Sequence, residues 1–297
     1  MDENVSITKK QHYVPKAYLS FFATKERTAL KTYAFFRTNK VKRYVDIDDI
    51  CCEKLLYEQK IDDPIGREVV LFEPNTIENL FVDIEGHYHT ICEKIIQMSN
   101  DDEFCLTNDE RNWLKIFISS LTLRCAESVK LANELSEFIY SKSQKEILEI
   151  KRKIDENIPD NVMKAYFKQI ALDNYINPKT SIYVRTHKKM LEDSQVVLLK
   201  TEGLKFITSN HPNKMFHKDK TGMEFDFEGI AISPELMLAF VDDAISLPNI
   251  IVLNDEIVSR INCVHIKSSA KCLIAKNIKD IDLIDMDFYE PTLEIGV

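Results

Sequence analysis

The sequence predicts an α+β fold, with a small N-terminal antiparallel sheet segment, a long-helix middle region, and a C-terminal mixed or antiparallel sheet. Three observations predict it: short β-branched and apolar runs near the N-terminus, a helical apolar period through the middle, and short apolar runs again in the last third. We therefore expect one α+β domain over 1–297, with three regions at 1–60, 74–193 and 195–297.

The composition is that of a packed protein without a common cofactor signature. Hydrophobic residues make up 44% of the 297 residues, which suits a globular core. There are only six glycines, and neither GxGxxG nor GxxxxGK[ST] occurs. The seven cysteines contain no CxxC pair, so we interpret them as reduced thiols and not as a zinc ribbon or a thioredoxin-type site.

The net charge of −9 disfavours a protein that binds duplex nucleic acid over a broad surface. A local basic groove for a nucleic acid or a nucleotide stays compatible with this charge. No apolar run reaches the roughly 18 residues that a membrane span needs, and the N-terminal stretch is polar. We therefore expect a cytoplasmic protein with no membrane partner.

The N-terminal region combines a polar arm, a helix start and strands. Residues 1–11 are predicted to form the arm, and Pro15 favours a helix start because proline lacks the N–H that would be unpaired there. Val14 is held extended by the proline that follows it. Strands are predicted at KTYAFF, KVKRYV and KLLYE, with a short helical turn at DIDDIC.

A longer helix is predicted after Asn75, because apolar residues recur there at helical spacing. The same spacing places Glu78, Glu85 and His89 on one side of that helix. A glutamate and a histidine four residues apart form a workable metal pair, but the segment lacks the HExxH arrangement, and a solvated helix face is the alternative. The sequence leaves open whether a divalent metal is a cofactor, and it names no metal-binding residue.

A longer helical run follows. Thr107 and Glu110 have the T-x-x-E spacing of a capping box at its start. The run is long for one globular helix, so we expect a break near residues 141–143 and an end before Pro159. Further helices are predicted over 161–173 and 180–193.

The last third of the chain changes to short strands. They are predicted at SQVVLLK, KFITSN, GIAIS, LMLAFV and CLIAK, because these apolar runs are separated by glycine, asparagine and proline. Asn254 is predicted to cap one helix between the last two of these strands.

Three segments together carry a resemblance to a known family: QHYVPKAYLSFF at the start, FITSNHP at 206–212 and AISPELMLAF at 231–240. The chain resembles the uncharacterised, mostly bacterial family called domain of unknown function 4238 (DUF4238). Members typically open with His-Tyr-Val-Pro, which corresponds to His12–Pro15, and they carry Thr-Ser-Asp-x-Pro nearer the C-terminus. Asn210 stands where an aspartate is usual in that family, and the resemblance implies no particular activity.

His12 is the residue of the opening motif that helix packing does not explain. Beside a helix start it would serve as a general base, since the unperturbed pKa of histidine is near 6.5. The alternative is structural, with His12 hydrogen-bonded to the backbone and holding the N-terminal segment in position. Tyr13 is predicted as a ligand-binding neighbour in the first case.

Arg124 interrupts an apolar side of the long helical run, among Leu121, Leu123 and Cys125. A buried arginine needs a carboxylate or an anionic ligand. It would therefore either hold a phosphate group or pair with Glu78 or Glu85 as a structural bridge.

The TSNHP segment places Ser209 and Asn210 at a predicted strand end, where loops often carry function. Ser209 is predicted to bind ligand, and Asn210 to belong to the catalytic set. The alternative is turn chemistry, because asparagine and serine favour turns and no G-x-S-x-G elbow is present.

Two functions follow from these residues. The first is a hydrolase of a phosphate-containing substrate, nuclease-like, with His12, Glu85 and Arg124 in one pocket and Asn210 beside them. The second is a non-catalytic binding or regulatory module. In it the His-Tyr-Val-Pro segment is a structural clasp, and the helix at 127–157 is a partner surface or the contact of a homo-oligomer.

Overall fold

The structure is a computed structural model that describes residues 8–62, 68–268 and 271–282. Fourteen strands lie in this part of the chain: β1 Lys10–His12, β2 Thr24–Glu26, β3 Ala29–Phe36, β4 Val41–Asp46, β5 Cys52–Lys54, β6 Lys60–Asp62, β7 Glu68–Val70, β8 Ser194–Thr201, β9 Thr208–Ser209, β10 Lys214–Phe216, β11 Phe227–Ala231, β12 Leu236–Asp242, β13 Ile250–Leu253 and β14 Cys272–Ala275.

Eleven α-helices lie in the same described ranges, and the α+β class is confirmed. They are α1 Lys16–Leu19, α2 Thr76–Asn79, α3 Val82–Ser99, α4 Asn108–Leu121, α5 Ala126–Lys142, α6 Gln144–Ile154, α7 Asp160–Ile176, α8 Ile182–Met190, α9 Lys218–Thr221, α10 Asp255–Ser268 and α11 Ile278–Asp282.

The chain divides into two compact units, each built from several stretches of sequence. Of the described residues, the first unit contains 8–13, 52–62, 68–85 and 115–189. The second contains 14–51, 86–114, 190–268 and 271–282. The single domain expected over 1–297 stays a prediction.

The first unit holds two small antiparallel ribbons, helix α2, helices α5 to α7 and most of α8. Strand β1 pairs with β5, with His12 opposite Cys52, and β6 pairs with β7. Helix α5 packs along α7, and Tyr140, Ile147 and Met163 form a buried apolar cluster in this region.

The second unit contains a mixed sheet in the order β10-β11-β12-β8-β13. Neighbouring strands are antiparallel except for β8 and β13, which are parallel. Every residue of β11 is buried, and so is every residue of β12 except Asp242. These strands therefore lie in the core, which explains their continuous apolar sequence.

The second unit also contains a wholly antiparallel sheet centred on β3. Strand β4 lies along one edge of β3, while β2 and β14 follow each other along the opposite edge. Thr32 lies between the part of β3 that pairs with β2 and the part that pairs with β14. Its hydroxyl contacts the carbonyl oxygens of Phe22 and Ala275 at 2.8 and 3.0 Å. Strand β9 extends this sheet beyond β14.

Three local predictions are wrong. The polar arm expected over 1–11 gives way to strand β1 at Lys10, and residues 1–7 lie outside the described ranges. The strand expected at KLLYE has only its first residue in β5, because the chain turns at Leu55, which has a positive φ of 54°. Glu78 and Glu85 lie on separate helices, α2 and α3.

The long helical run breaks twice. Helix α5 ends at Lys142 and α6 begins at Gln144, which confirms the break predicted at 141–143. An unpredicted turn over residues 122–125 separates α4 from α5, so Arg124 lies in a turn and not on a helix face.

Candidate functional site

The structure brings three of the predicted site residues together in the first unit. Arg124 is 2% exposed, and its guanidinium lies between the Glu85 carboxylate and the backbone of His12. Nη1 donates to Oε1 of Glu85 at 2.6 Å, and Nη2 donates to the carbonyl oxygen of His12 at 2.9 Å. Tyr57 and Phe81 also contact Arg124, and the Glu78 carboxyl interacts electrostatically with its charge. We name these six residues the Arg124 cluster.

The flat face of the Arg124 guanidinium is covered as well. Its Cζ lies 3.9 Å from the centre of the Phe81 ring, a distance at which the cation interacts with the ring face. Tyr57 donates its hydroxyl to the carbonyl oxygen of Arg124 at 3.2 Å, which holds the turn between α4 and α5. Burial alone would lower the pKa of Arg124, but Tyr57, Glu85 and Glu78 raise it, so Arg124 stays charged.

Glu78 is the second carboxyl group of the cluster, and its environment differs from that of Glu85. Burial raises the pKa of Glu78 to about 7, although nearby Arg124 and a hydrogen bond from the backbone of His12 act to lower it. One of its carboxyl oxygens, Oε2, is buried without a hydrogen-bond partner among the described residues. Glu78 therefore titrates near neutral pH, where a general acid or base would.

His12 enters the cluster through its backbone. Its carbonyl oxygen accepts from Arg124, and its N–H bonds to Glu78. Both groups belong to β1, a strand that pairs on one side with β5, so the cluster supplies the partners on its other side. The residue is 6% exposed.

The neighbouring Gln11 fixes the same segment through its side chain. Its side chain donates to Glu58 at 2.8 Å and accepts from the N–H of Tyr57 at 2.8 Å. Glu58 also accepts from the N–H of Asn75 at 3.0 Å, and the Asn75 side chain accepts from the N–H of Thr8 at 2.9 Å. A partly buried polar network thus holds residues 8–12 in addition to the contacts of His12.

Sequence reasoning identified Arg124, Glu85 and His12 but not the roles of Tyr57 and Phe81. Tyr57 falls in the segment KLLYE, which is predicted as a strand, and Phe81 is one of the apolar residues whose spacing predicts a helix after Asn75. No signal in the sequence marks either as a partner of arginine, because an aromatic residue at helical spacing is ordinary core material. The sequence leaves open whether Arg124 holds a phosphate group or pairs with Glu78 or Glu85, and the structure has the ion pair with Glu85.

The metal pair expected on α3 has other neighbours. His89 Nδ1 lies 3.5 Å from Glu93, and Glu85 binds Arg124. Within 8–62, 68–268 and 271–282, no three histidine, cysteine or acidic side chains group as metal ligands. Tyr13, the predicted ligand contact, is 7% exposed.

Ser209 and Asn210 lie in the second unit, whereas His12, Tyr13, Glu85 and Arg124 lie in the first. The Ser209 hydroxyl donates to the carbonyl of His211 at 2.9 Å and accepts from its N–H at 3.1 Å, which is turn chemistry. Oδ1 of Asn210 accepts from the N–H groups of Lys271 and Cys272 at 3.2 and 3.1 Å. An aspartate would accept the same two bonds, so the asparagine keeps this link to β14.

The described helices include none that is both long and apolar enough to cross a membrane. Comparison with known proteins finds one family. No curated protein and no solved structure matches the chain significantly. The model of a family described as protein of unknown function (DUF4238) matches residues 10–279, which include the His-Tyr-Val-Pro motif, the Arg124 cluster and the Asn210 turn. Because this match covers most of the sequence, the chain belongs to the DUF4238 family.

Proposed function

We propose that the chain is a non-catalytic binding module that pairs with a second copy of itself through helix α5. One observation carries the proposal: an apolar stripe on α5 is open to solvent. Leu131, Leu135 and Phe138 are 53%, 46% and 60% exposed, and their spacing of four and three residues aligns them on one side of the helix. Neighbouring exposed apolar side chains of this size are a feature of protein contact surfaces.

The charges at the two ends of the stripe favour a second copy as its partner. Glu127 precedes Leu131 by four residues, and Lys142 follows Phe138 by four, so both continue the same side of α5. In an antiparallel pair with a two-fold axis between Glu134 and Leu135, Leu131 faces Phe138 and Glu127 faces Lys142. Each contact then occurs twice, as two-fold symmetry requires.

The Arg124 cluster fits this proposal as a structural clasp. Both Nη atoms of Arg124 are engaged by protein acceptors, and its ring-facing side is covered by Phe81. Glu85 and the His12 carbonyl already compensate the buried cation, so Arg124 does not need an anionic ligand in order to stay buried. In this proposal the cluster is structural: it holds β1 against the neighbouring helices and so stabilises the unit to which α5 belongs.

The experiment is sedimentation velocity of the purified chain over a range of concentrations. The wild type is expected to form dimers, and Phe138→Glu is expected to be monomeric, because a charge placed in the stripe faces an apolar residue. Ile182→Glu is the matched control, since Ile182 is 63% exposed but lies on α8. A monomeric wild type, or a dimer that Phe138→Glu leaves unchanged, contradicts the proposal.

A charge reversal tests the antiparallel arrangement. Glu127→Lys should weaken the dimer because two lysines then face each other. Glu127→Lys combined with Lys142→Glu should restore it, since the pair is exchanged and not removed. Equal weakening by the single and the double variant would contradict the pairing of these two residues.

A second candidate function, the hydrolase, is favoured by Glu78 alone. Its pKa of about 7 and its unpaired buried oxygen are what a general acid beside a bound anion would have. In that case the wild type hydrolyses bis(p-nitrophenyl) phosphate. Glu78→Gln should reduce the rate by about a hundredfold or more, and His12→Ala should also reduce it. A wild type without phosphodiesterase activity, or a fully active Glu78→Gln, excludes this candidate.

A further inference from the structure

Two buried cysteine side chains meet in the second unit, and neither belongs to the Arg124 cluster. The Sγ atoms of Cys51 and Cys272 lie 4.0 Å apart, although the two residues are 221 positions apart in the sequence. Cys51 is 5% exposed and Cys272 is 3% exposed. All seven cysteines lie in the described ranges and are thiols, so this contact joins two reduced side chains.

The backbone fixes the position of Cys272. This residue lies in β14, where it pairs with Phe36 of β3. Its N–H donates to Oδ1 of Asn210 at 3.1 Å, and its carbonyl oxygen accepts from the N–H of Asn210 at 3.2 Å. The Asn210 turn therefore holds the strand position from which the Cys272 thiol reaches Cys51.

Cys51 is held in an uncommon backbone conformation. Its φ is 52°, in the left-handed region, where a residue with a side chain is strained and glycine is favoured. Its carbonyl oxygen accepts from the N–H of Val14 at 3.4 Å, which links Cys51 to the His-Tyr-Val-Pro motif. A buried thiol that contacts a second thiol from such a position indicates a role for the side chain.

The surroundings of Cys272 favour its thiolate. The Cys51 thiol, a hydrogen bond from the backbone of Asn210 and the charge of Lys271 lower the pKa of Cys272 against the effect of burial. Cys92 of α3 is also buried, but there burial raises the pKa of the thiol. Because the thiolate is the form that reacts with oxidants, Cys272 is the more reactive of these two buried cysteines.

We propose that Cys51 and Cys272 form a reversible disulfide when the chain meets a hydroperoxide. The Cys272 thiolate attacks one oxygen of hydrogen peroxide, the O–O bond breaks and hydroxide leaves, so that Cys272 becomes a sulfenic acid. The sulfur of Cys51 then attacks that of Cys272, the S–O bond breaks, and the leaving hydroxide takes up the proton of the Cys51 thiol. Two thiols are thus oxidised while one peroxide is reduced to water.

The step requires the two sulfur atoms to approach to the about 2.0 Å of an S–S bond. It also requires the oxidant to reach Cys272, and hydrogen peroxide is small enough to do so when the fold opens locally. The resulting bridge closes a loop of 221 positions, which restricts the unfolded chain more than a short loop does. The melting temperature of the oxidised chain should therefore rise by about 5–10 °C.

The experiment is peptide mapping after treatment of the purified chain with hydrogen peroxide. Its background carries Cys105→Ser and Cys263→Ser, because these two exposed cysteines can join separate copies. Trypsin releases Cys51 and Cys272 in the peptides YVDIDDICCEK and CLIAK. The oxidised chain should yield these two peptides joined, fragmentation should locate the bond at Cys51 and not at Cys52, and dithiothreitol should separate them.

Cys51→Ser and Cys272→Ser should each abolish the joined peptide and the rise in melting temperature. Cys92→Ala is the matched control: Cys92 is buried in the same unit, and its removal should leave both effects in place. Circular dichroism of the reduced variants establishes that they are folded, and the mapping of the background chain needs no variant of the pair. A peroxide-treated chain without the joined peptide overturns the proposal. A bond at Cys52 also overturns it, and so does a bond that does not raise the melting temperature.

Discussion

A single residue, Arg124, organises the buried polar contacts around the His-Tyr-Val-Pro motif. Its charge is taken out of water, which is costly unless a carboxylate and hydrogen-bond acceptors compensate. Glu85, the His12 carbonyl and the Phe81 ring supply that compensation. Removing the arginine leaves these groups without their partner, so its main effect is expected on folding.

We predict that Arg124→Met lowers the free energy of unfolding by about 3–5 kcal/mol, the range measured when one member of a buried ion pair is removed. Arg124→Lys should recover only part of the loss, because an ammonium group cannot donate to two acceptors with the fixed geometry of a guanidinium. Urea unfolding followed by circular dichroism measures both. Arg152→Met, at an exposed position on α6, is the control and should be nearly neutral.

Glu78 is expected to make the stability of the fold depend on pH. Its pKa is near 4.5 when unfolded and about 7 when folded, so the folded state holds a proton that the unfolded state loses between these values. The contribution of Glu78 to stability is therefore fully present below about pH 4.5 and is lost as the pH rises through 7. Relative to Glu78→Gln, the wild type should lose about 3 kcal/mol over this interval.

Unfolding in urea at a series of pH values from 4.5 to 8 checks this prediction, with Glu78→Gln as the reference at every pH. Glu149→Gln, at an exposed position of α6, should follow the wild type. A difference between wild type and Glu78→Gln that stays constant with pH would show that the folded pKa of Glu78 is not raised.

At the scale of elements, the sequence predicts a helix end correctly where residues close in sequence determine it, as capping residues do. The capping box is confirmed, since the Thr107 N–H donates to Glu110 at 2.8 Å and the Glu110 N–H donates to the Thr107 hydroxyl at 3.2 Å. The turn at residues 122–125 could not be predicted, because Thr122, Leu123 and Arg124 are compatible with a helix. The hydrogen bond from Tyr57 to the Arg124 carbonyl is a tertiary contact that helical spacing cannot reveal.

We predict that Thr107→Ala lowers the free energy of unfolding by about 1 kcal/mol, because α4 loses its N-terminal cap. Thr90→Ala is the control: Thr90 lies within α3, its hydroxyl donates to the carbonyl of Gly86 in the same helix, and alanine is the better helix former. Thermal unfolding by calorimetry measures the two. Equal stability of Thr107→Ala and the wild type would show that the cap contributes nothing.

At the scale of the whole molecule, helical periodicity and the short apolar runs between turn residues predict the fold class and the order of its regions. They do not predict the Arg124 cluster, because it joins residues that lie 39 and 112 positions apart in the sequence. Sequence spacing could nominate His12, Glu85 and Arg124 but could not tell that His12 takes part through its backbone. The backbone contacts of His12 support our proposal that it belongs to a structural clasp.

The direction of pairing between two copies is tested most directly by a photo-crosslinker. In Leu131→p-benzoylphenylalanine, illumination of the purified chain should produce a band of twice the monomer mass. Mass spectrometry of that band should locate the crosslink at residues around Phe138 of the second copy, because the two helices run antiparallel. A chain that yields no dimer band, or a crosslink around residue 131 itself, would contradict antiparallel pairing through α5.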